Sequence, residues 1–331
     1  MASPSGPLSI AILIGSLFPL LLGADVVVRG GTAVARKLGV PPFAVGLTII
    51  AFGTSAPELF INVTAAITGE GSIAIGNVLG SNIFNIGIAL ALLAILRPIP
   101  VSPGIARVEV PLIVVAALVL LAVMSDRYLN QGLVDIITRT EGILLLSIFG
   151  LFLAYLALYR RSTLDSADKW SQIEVRVIAG SNSLVLSLGV VLLGFFLLAI
   201  GGAGTVRGAV GTATFFGVSE YVIAITAVAI GTSLPELATT VIAALRGHTD
   251  IAMGNILGSN IFNVFLVLGT TATIQPITAP HRLLDHGVHI FLSLLLLFAV
   301  LRSRTEGLQR WHGFVGVLIY GAYMMVLLQM P

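Results

Sequence analysis

Residues 53–85 read GTSAPELFINVTAAITGEGSIAIGNVLGSNIFN, and residues 231–263, 178 positions later, read GTSLPELATTVIAALRGHTDIAMGNILGSNIFN. Of the 33 paired positions, 21 are identical without a gap. What repeats is mostly polar or helix-breaking: Gly-Thr-Ser-x-Pro-Glu, then Gly-Asn-x-x-Gly-Ser-Asn-Ile-Phe-Asn. The flanking sequence is apolar. Repetition concentrated on polar residues points to a shared site rather than to architecture alone.

At 57% hydrophobic and 10% charged residues, the 331-residue chain is not a water-soluble domain. Runs 184–200 and 288–301 carry no Lys, Arg, Asp or Glu and approach or reach bilayer-spanning length. Backbone facing lipid must close its hydrogen bonds within a helix or a sealed barrel. Barrel strands alternate apolar and polar residues over about ten positions. That alternation does not occur, so the expected fold class is an all-α integral membrane protein. Lys and Arg are spread over short loops, which gives no support for nucleic-acid binding. Without Cys, disulfides and thiolate metal sites are excluded. The apolar stretch 8–22 lacks a basic leader and follows the repeat pattern, so it is expected to remain as a helix rather than be removed as a signal peptide.

Hydropathy and loop punctuation predict ten transmembrane helices, at 8–28, 43–67, 72–96, 108–125, 141–159, 182–205, 219–245, 250–273, 286–301 and 312–329. Residues 1–160 form the first set of five, with its repeat at about 43–96. Residues 161–180 are a hydrophilic cytoplasmic linker. Residues 181–331 form the second set, with its repeat at about 219–273. Counting the 17 Lys and Arg over alternate loops puts thirteen on one side and four (Arg127, Arg139, Arg207 and Arg282) on the other. The richer side is expected to be cytoplasmic, with both termini extracellular and the chain in the cell membrane. An odd number of spans per half turns the second copy upside down relative to the first. Inverted repeats of this kind hold a shared site near the bilayer midplane, at the interface of the two repeats.

Within 51–58, Pro57 cannot donate a backbone hydrogen bond and clashes inside a continuous helix, which frees carbonyls near Gly53 and Thr54. Such a break survives at membrane depth only where it lines a cavity or is buried in protein. The freed carbonyls, the hydroxyls of Thr54 and Ser55 and the carboxylate of Glu58 are hard oxygen donors, spaced to share one helical face. Ala229, Thr232, Ser233, Pro235 and Glu236 repeat the arrangement of 51–58. Asn77, Ser81 and Asn85 form a stripe at spacing four, copied by Asn255, Ser259 and Asn263. Gly76 with Gly80, and Gly254 with Gly258, make GxxxG pairs read as helix packing. Glu58 and Glu236 are the only carboxylates expected well inside spans; Asp25, Glu109 and Glu220 fall near helix ends. An intramembrane acid costs at least a few kcal/mol to insert, which makes it a functional candidate. A base-paired carboxyl is the plainer alternative, yet the second, third, seventh and eighth spans contain no Lys or Arg.

Carboxylates, carbonyls and hydroxyls suit hard cations such as Ca²⁺ and Na⁺. One Ca²⁺ neutralises two carboxylates, as do two Na⁺ or two protons. A site that accepts either load and is costly to leave empty implies exchange. The expected ligands are therefore transported cations, Ca²⁺ and Na⁺, with H⁺ as the alternative to Na⁺, in surrounding membrane lipid. No cofactor, nucleic acid or obligate protein partner is implied.

These motifs resemble the paired alpha-repeats of the sodium/calcium exchanger family, within the cation/calcium antiporter superfamily. GTSAPE and GTSLPE, each followed by GNxLGSNIFN, carry the resemblance. It implies ten helices in two inverted sets and a central divalent site flanked by Na⁺ sites. By motif match, Glu58 and Glu236 with the carbonyls of Thr54 and Thr232 would hold Ca²⁺. Ala51, Ser55 and Ser81 would line one Na⁺ site, and Ala229, Ser233 and Ser259 the other. The Gly-rich first and sixth helices would slide across this core to alternate access. The last motif position is Asn in both copies, Asn85 and Asn263, where potassium-dependent relatives and some prokaryotic exchangers carry Asp at the second. That departure argues against potassium co-transport. Asp25 has no acidic counterpart near Gly204, and a local ion pair with Arg29 is its expected role.

Other features are set aside. Asn62-Val63-Thr64 matches a glycosylation sequon but lies inside a span. His248, His281, His286, His289 and His312 lack metal-ligand spacing and are read as loop or interface residues. GxSxG is absent and no His is placed as a base, so an enzyme is not expected. Na⁺/Ca²⁺ antiport by alternating access is the expected function. H⁺/Ca²⁺ antiport through the same two glutamates is the alternative, and a cation channel the rival from another class.

Overall fold

The computed structural model describes residues 6–125, 135–159, 183–216, 230–279, 283–302 and 307–329. The chain forms α1 (Gly6–Leu38), α2 (Pro42–Thr54), α3 (Ala56–Ile67), α4 (Gly71–Leu96), α5 (Pro103–Val123), β1 (Asp135–Ile137) and α6 (Arg139–Tyr159). It continues with α7 (Leu184–Phe215), α8 (Leu234–Leu245), α9 (Thr249–Ile274), β2 (Ile277–Ala279), α10 (Leu283–Arg302) and α11 (Arg310–Leu327). Seven of these helices are long and apolar enough to cross a membrane, and α2 with α3, counted together, would make an eighth. Together they give a multi-pass membrane protein.

Each predicted span has a described helix at its position, with differences at the edges. The first helix, expected at 8–28, runs to Leu38. Its last turns carry Arg29, Arg36 and Lys37, which end a hydropathy window, while Val34 and Ala35 stay buried and keep it helical. The seventh shows only its second part, because residues 217–229 lie outside those described. The linker 161–180 also lies outside them. One amendment to the all-α expectation is a short antiparallel ladder, β1 with β2, pairing Asp135 with Ala279 and Ile137 with Ile277.

The chain forms two compact units, residues 1–54 with 153–255, and residues 55–152 with 256–331. In the first unit α1 and α7 pack along a glycine seam. A Cβ on Gly23 would come within 2.7 Å of the Leu198 backbone nitrogen, and one on Gly201 would collide with the backbone of Leu20. Gly30 meets Val191, and Gly208 meets Leu13, in the same way. These contacts are themselves paired by the 178-residue repeat, so small residues allow close approach twice over. Ser16 and Thr205 hydroxyls lie 3.1 Å apart on the seam. Gly254 of α9 abuts the Phe43 carbonyl of α2, which bears out helix packing for that GxxxG glycine. Around Gly76, its counterpart, no described atom lies within 4 Å, and the matching positions near 221–225 are outside the described residues.

In the second unit α6 packs on the end of α9. A Cβ on Gly142 would reach within 2.7 Å of the Thr273 nitrogen, and Phe149 meets Phe262 edge-on at 4.9 Å. Gly313 of α11 seats against the Ala91 backbone of α4. The seam in the first unit yields a direct check. Gly201→Ala is expected to lower the thermal midpoint of the detergent-solubilised protein by several degrees, since overpacking typically costs about 1–3 kcal/mol. Gly189→Ala, on an open face of the same helix α7, is expected to leave it unchanged or raise it slightly. Equal midpoints for the two variants would contradict the seam.

Candidate functional site

The repeated sequence is also a repeated backbone. Helix α2 stops at Thr54 and α3 starts at Ala56 because Ser55 (φ −85°, ψ 5°) leaves the helical region and Pro57 has no N–H for the Gly53 carbonyl. The paired residue Ser233 has φ −87° and ψ 3°, with Pro235 following. Helix α3 closes on Gly69 at φ +83°, and α8 on Gly247 at φ +82°. In each, two crossed bonds satisfy the last carbonyls: Glu70 N to Ala65 O at 2.7 Å and Gly69 N to Ala66 O at 3.1 Å, then His248 N to Ala243 O at 2.8 Å and Gly247 N to Ala244 O at 3.0 Å. These Schellman closures require the left-handed conformation that glycine adopts freely. Wider π turns, Asn85–Leu90 and Asn263–Leu268, interrupt α4 and α9 at paired positions. Such turns loosen the helical ladder and are frequent at functional sites.

Glu58 and Glu236 sit in the first turns of α3 and α8, and both are 0% exposed. The N-terminal end of a helix carries partial positive charge, which lowers the cost of keeping a carboxylate there. None of α2, α3, α4, α8 or α9 contains Lys or Arg. Among the described residues, no three His, Cys, Asp or Glu side chains converge as a metal cluster. A cation bound by these acids therefore needs neutral oxygens to complete its shell.

Each unit buries such oxygens. In the first unit the Thr54 hydroxyl donates to Asn255 Oδ1 at 3.1 Å, and Asn255 Nδ2 reaches the Glu236 carbonyl at 3.5 Å. A residue of the first repeat is thus tied to the acid-bearing helix of the second through one amide. Ala51, Thr54, Thr232 and Ser233 are all buried here. Thr239 and Thr240, one turn beyond Glu236, are fully buried, and among the described residues their hydroxyls have no hydrogen-bond partner. Ala229 lies outside the described residues.

In the second unit Ser55, Glu58, Ser81, Asn85, Ser259 and Asn263 are buried. Helix α3, which carries Glu58, packs against the π turn that begins at Asn263. Asn77 Nδ2 donates to Asn62 Oδ1 at 2.6 Å, and Asn62 Nδ2 donates to the Ala74 carbonyl at 3.0 Å. Asn263 Nδ2 donates to Asn82 Oδ1 at 3.0 Å. Among the described residues nothing hydrogen-bonds to either amide atom of Asn85, or to Oδ1 of Asn263.

Sequence reasoning named the acids, hydroxyls and stripe amides but passed over Asn62, Asn82, Thr239 and Thr240. Asn82 and Asn260 stood in plain view as the shared Ser-Asn of both motifs; their role depends on rotamers and not on spacing. Full burial of Asn62 agrees with setting its sequon aside. Asp25 pairs with Arg29 at 2.8 Å as expected, and also with Arg246, at the C-cap of α8, which sequence separation concealed. His286 and His289 occupy fully buried positions within α10 rather than loops.

A sequence model of the sodium/calcium exchanger protein family matches residues 8–158 and 186–329. The inner membrane protein YrbG of Escherichia coli (strain K12) is 33% identical over 321 residues, covering 96% of this chain and 95% of that one. The sodium/calcium exchanger MaX1 of Methanosarcina acetivorans is 30% identical over 348 residues, covering 96% of this chain and 97% of its own. Among solved structures, the sodium-calcium exchanger NCX_Mj soaked with zero Na⁺ and Ca²⁺ superposes with a TM-score of 0.78 at 28% identity, over 97% of this chain and 99% of that one.

The amide pair in the second unit can be tested on its own. Asn62→Ala removes the acceptor of the 2.6 Å bond from Asn77 and is expected to cost about 1–3 kcal/mol of stability. Urea unfolding of the solubilised protein reads this out, and an unchanged midpoint would contradict a structural role for Asn62.

Proposed function

The chain belongs to the sodium/calcium exchanger family, and from that premise we propose that it is a secondary antiporter that moves Na⁺ one way and Ca²⁺ the other by alternating access. Membership makes it a cation/calcium antiporter and not an enzyme. The observation that carries the finer reading is a pair of fully buried glutamates, each in the first turn after a Ser-x-Pro break and each in the same backbone setting.

In the proposed cycle Glu58 and Glu236, with the carbonyls of Thr54 and Thr232, take Ca²⁺. Ala51, Ser55 and Ser81, and likewise Ala229, Ser233 and Ser259, take Na⁺. The amide oxygens of Asn85 and Asn263 complete the set of neutral donors. The C-terminal end of α2 presents carbonyls, the negative pole of the helix dipole, which suits a cation. Two carboxylates make a charge that one Ca²⁺ or two Na⁺ cancel, and leaving it bare in a low-dielectric interior is expensive. That cost is what links the departure of one ion to the arrival of the other. Ten spans in two inverted sets, with both termini outside, complete the proposed architecture. Helices α1 and α7 would move together, because their glycine seam leaves little room for either to shift alone.

A proton load on the same two acids would give H⁺/Ca²⁺ exchange. The hydroxyls of Thr54, Ser55, Thr232 and Ser233 favour Na⁺, since a proton needs no oxygen cage. Flux of ⁴⁵Ca²⁺ into proteoliposomes, with Na⁺ and pH gradients set independently, decides the point. Uptake driven by an outward Na⁺ gradient is expected; uptake driven only by a pH gradient would overturn Na⁺ coupling, and uptake needing no counter-ion would indicate a channel. Asn263→Asp adds a titratable ligand, so its flux is expected to become more sensitive to pH or potassium. A flat profile in both would exclude Asn263 from the ion-binding core.

A further inference from the structure

We propose that Asn82 is a positioning residue that fixes which end of the Asn263 amide faces the transported cation; this rests on the reading of Asn263 as an ion ligand. An asparagine amide has an oxygen that attracts cations and an NH₂ that repels them, so a 180° turn about its last torsion converts a ligand into an obstacle. At Asn263 the choice is made by a relay. The Asn260 backbone carbonyl accepts from Asn82 Nδ2 at 3.4 Å. With its NH₂ so engaged, Asn82 presents Oδ1, which accepts from Asn263 Nδ2 at 3.0 Å. Asn263 is left with Oδ1 buried and, among the described residues, without a hydrogen-bond partner. Reversing Asn82 would set its oxygen against a carbonyl oxygen, and reversing Asn263 would set oxygen against oxygen. A main-chain anchor therefore dictates the outer amide through the middle one.

The paired positions lack this relay. Asn260, the counterpart of Asn82, turns its NH₂ back to the Ile256 carbonyl of its own helix at 2.8 Å. Asn85, the counterpart of Asn263, has neither amide atom engaged among the described residues, and Asn260 Oδ1 is unengaged as well. All of these side chains are 0% exposed. The two repeat-related amides are thus unequal: Asn263 is held oxygen-forward, and among the described residues no hydrogen bond orients Asn85. Asn82 is identical in type to Asn260 and adjacent to a ligand in the same motif, yet the two do different work.

The test measures Ca²⁺ binding to the purified full chain in detergent by calorimetric titration. Asn82→Leu is expected to raise the Ca²⁺ Kd about three- to tenfold, the scale of one hydrogen bond's net contribution, because Asn263 then spends part of its time reversed. Asn260→Leu, by contrast, is expected to shift it by no more than about twofold, less than one net hydrogen bond. A carboxylate has two equivalent oxygens and needs no orienting, so in an Asn263→Asp background the Asn82→Leu effect is expected to vanish. A residue that only supported the fold would instead lower stability without this selective loss. If Asn82→Leu does not fold, Asn82→Ser, whose hydroxyl is too short to bridge Asn260 and Asn263, takes its place with the same expectation. An unchanged Kd, an equal loss in Asn260→Leu, or an effect that persists with Asp at 263 would each overturn the positioning role. Wild-type protein that binds neither Ca²⁺ nor Na⁺ would overturn the transport reading, and this inference with it.

Discussion

A carboxylate removed from water must find positive charge or take up a proton, and this chain buries one in each of two repeated helices. The insertion penalty of an ionised acid at membrane depth is a few kcal/mol at least, larger than the net worth of a typical hydrogen bond, about 1 kcal/mol. Neutral donors alone are thus a weak offset, and a mobile cation is the stronger one. The surrounding sequence is consistent with that demand: five helices without Lys or Arg, two Ser-x-Pro breaks that release carbonyls, and buried hydroxyl and amide side chains in the same motifs. A site that is costly when bare and neutral when loaded favours exchange over leak.

The two repeats agree in backbone to within a few degrees at Ser55 and Ser233, and at Gly69 and Gly247. They differ where side chains settle hydrogen bonds. Asn62 anchors Asn77 in the first copy, whereas the paired Thr240 leaves a buried hydroxyl without a partner among the described residues. Asp25 joins α1 to Arg246, but the position 178 residues on from Asp25 is Ala203, which cannot do so. Matching backbone at these positions with unequal polar contacts makes the two repeats chemically inequivalent.

Much of the architecture was legible in the chain because bilayers impose length and apolarity on every span, and because 178-residue repetition marks the polar exceptions. The acids stood out for the same reason. What escaped notice depended on geometry that spacing does not encode. The π turns at Asn85 and Asn263 leave no signature in hydropathy, and the β1–β2 ladder is only three residues long. The extension of α1 past residue 28 was hidden by its own charges, since a hydropathy window stops where Arg29 begins although the buried face continues. Likewise the link from Asp25 to Arg29 is visible at four residues, and that to Arg246 is not. Asn82 was passed over because its neighbours Ser81 and Asn85 fit the four-residue stripe, and it falls one step off it.

The most direct measurement of the central claim is Ca²⁺ titration of Glu58→Gln and Glu236→Gln in detergent, each first shown by circular dichroism and size-exclusion chromatography to remain folded. Glutamine keeps the shape of the side chain while removing the charge and exchanging one oxygen for an NH₂ group. The account predicts that either substitution alone abolishes measurable Ca²⁺ binding. Binding at wild-type affinity in either folded variant would contradict it.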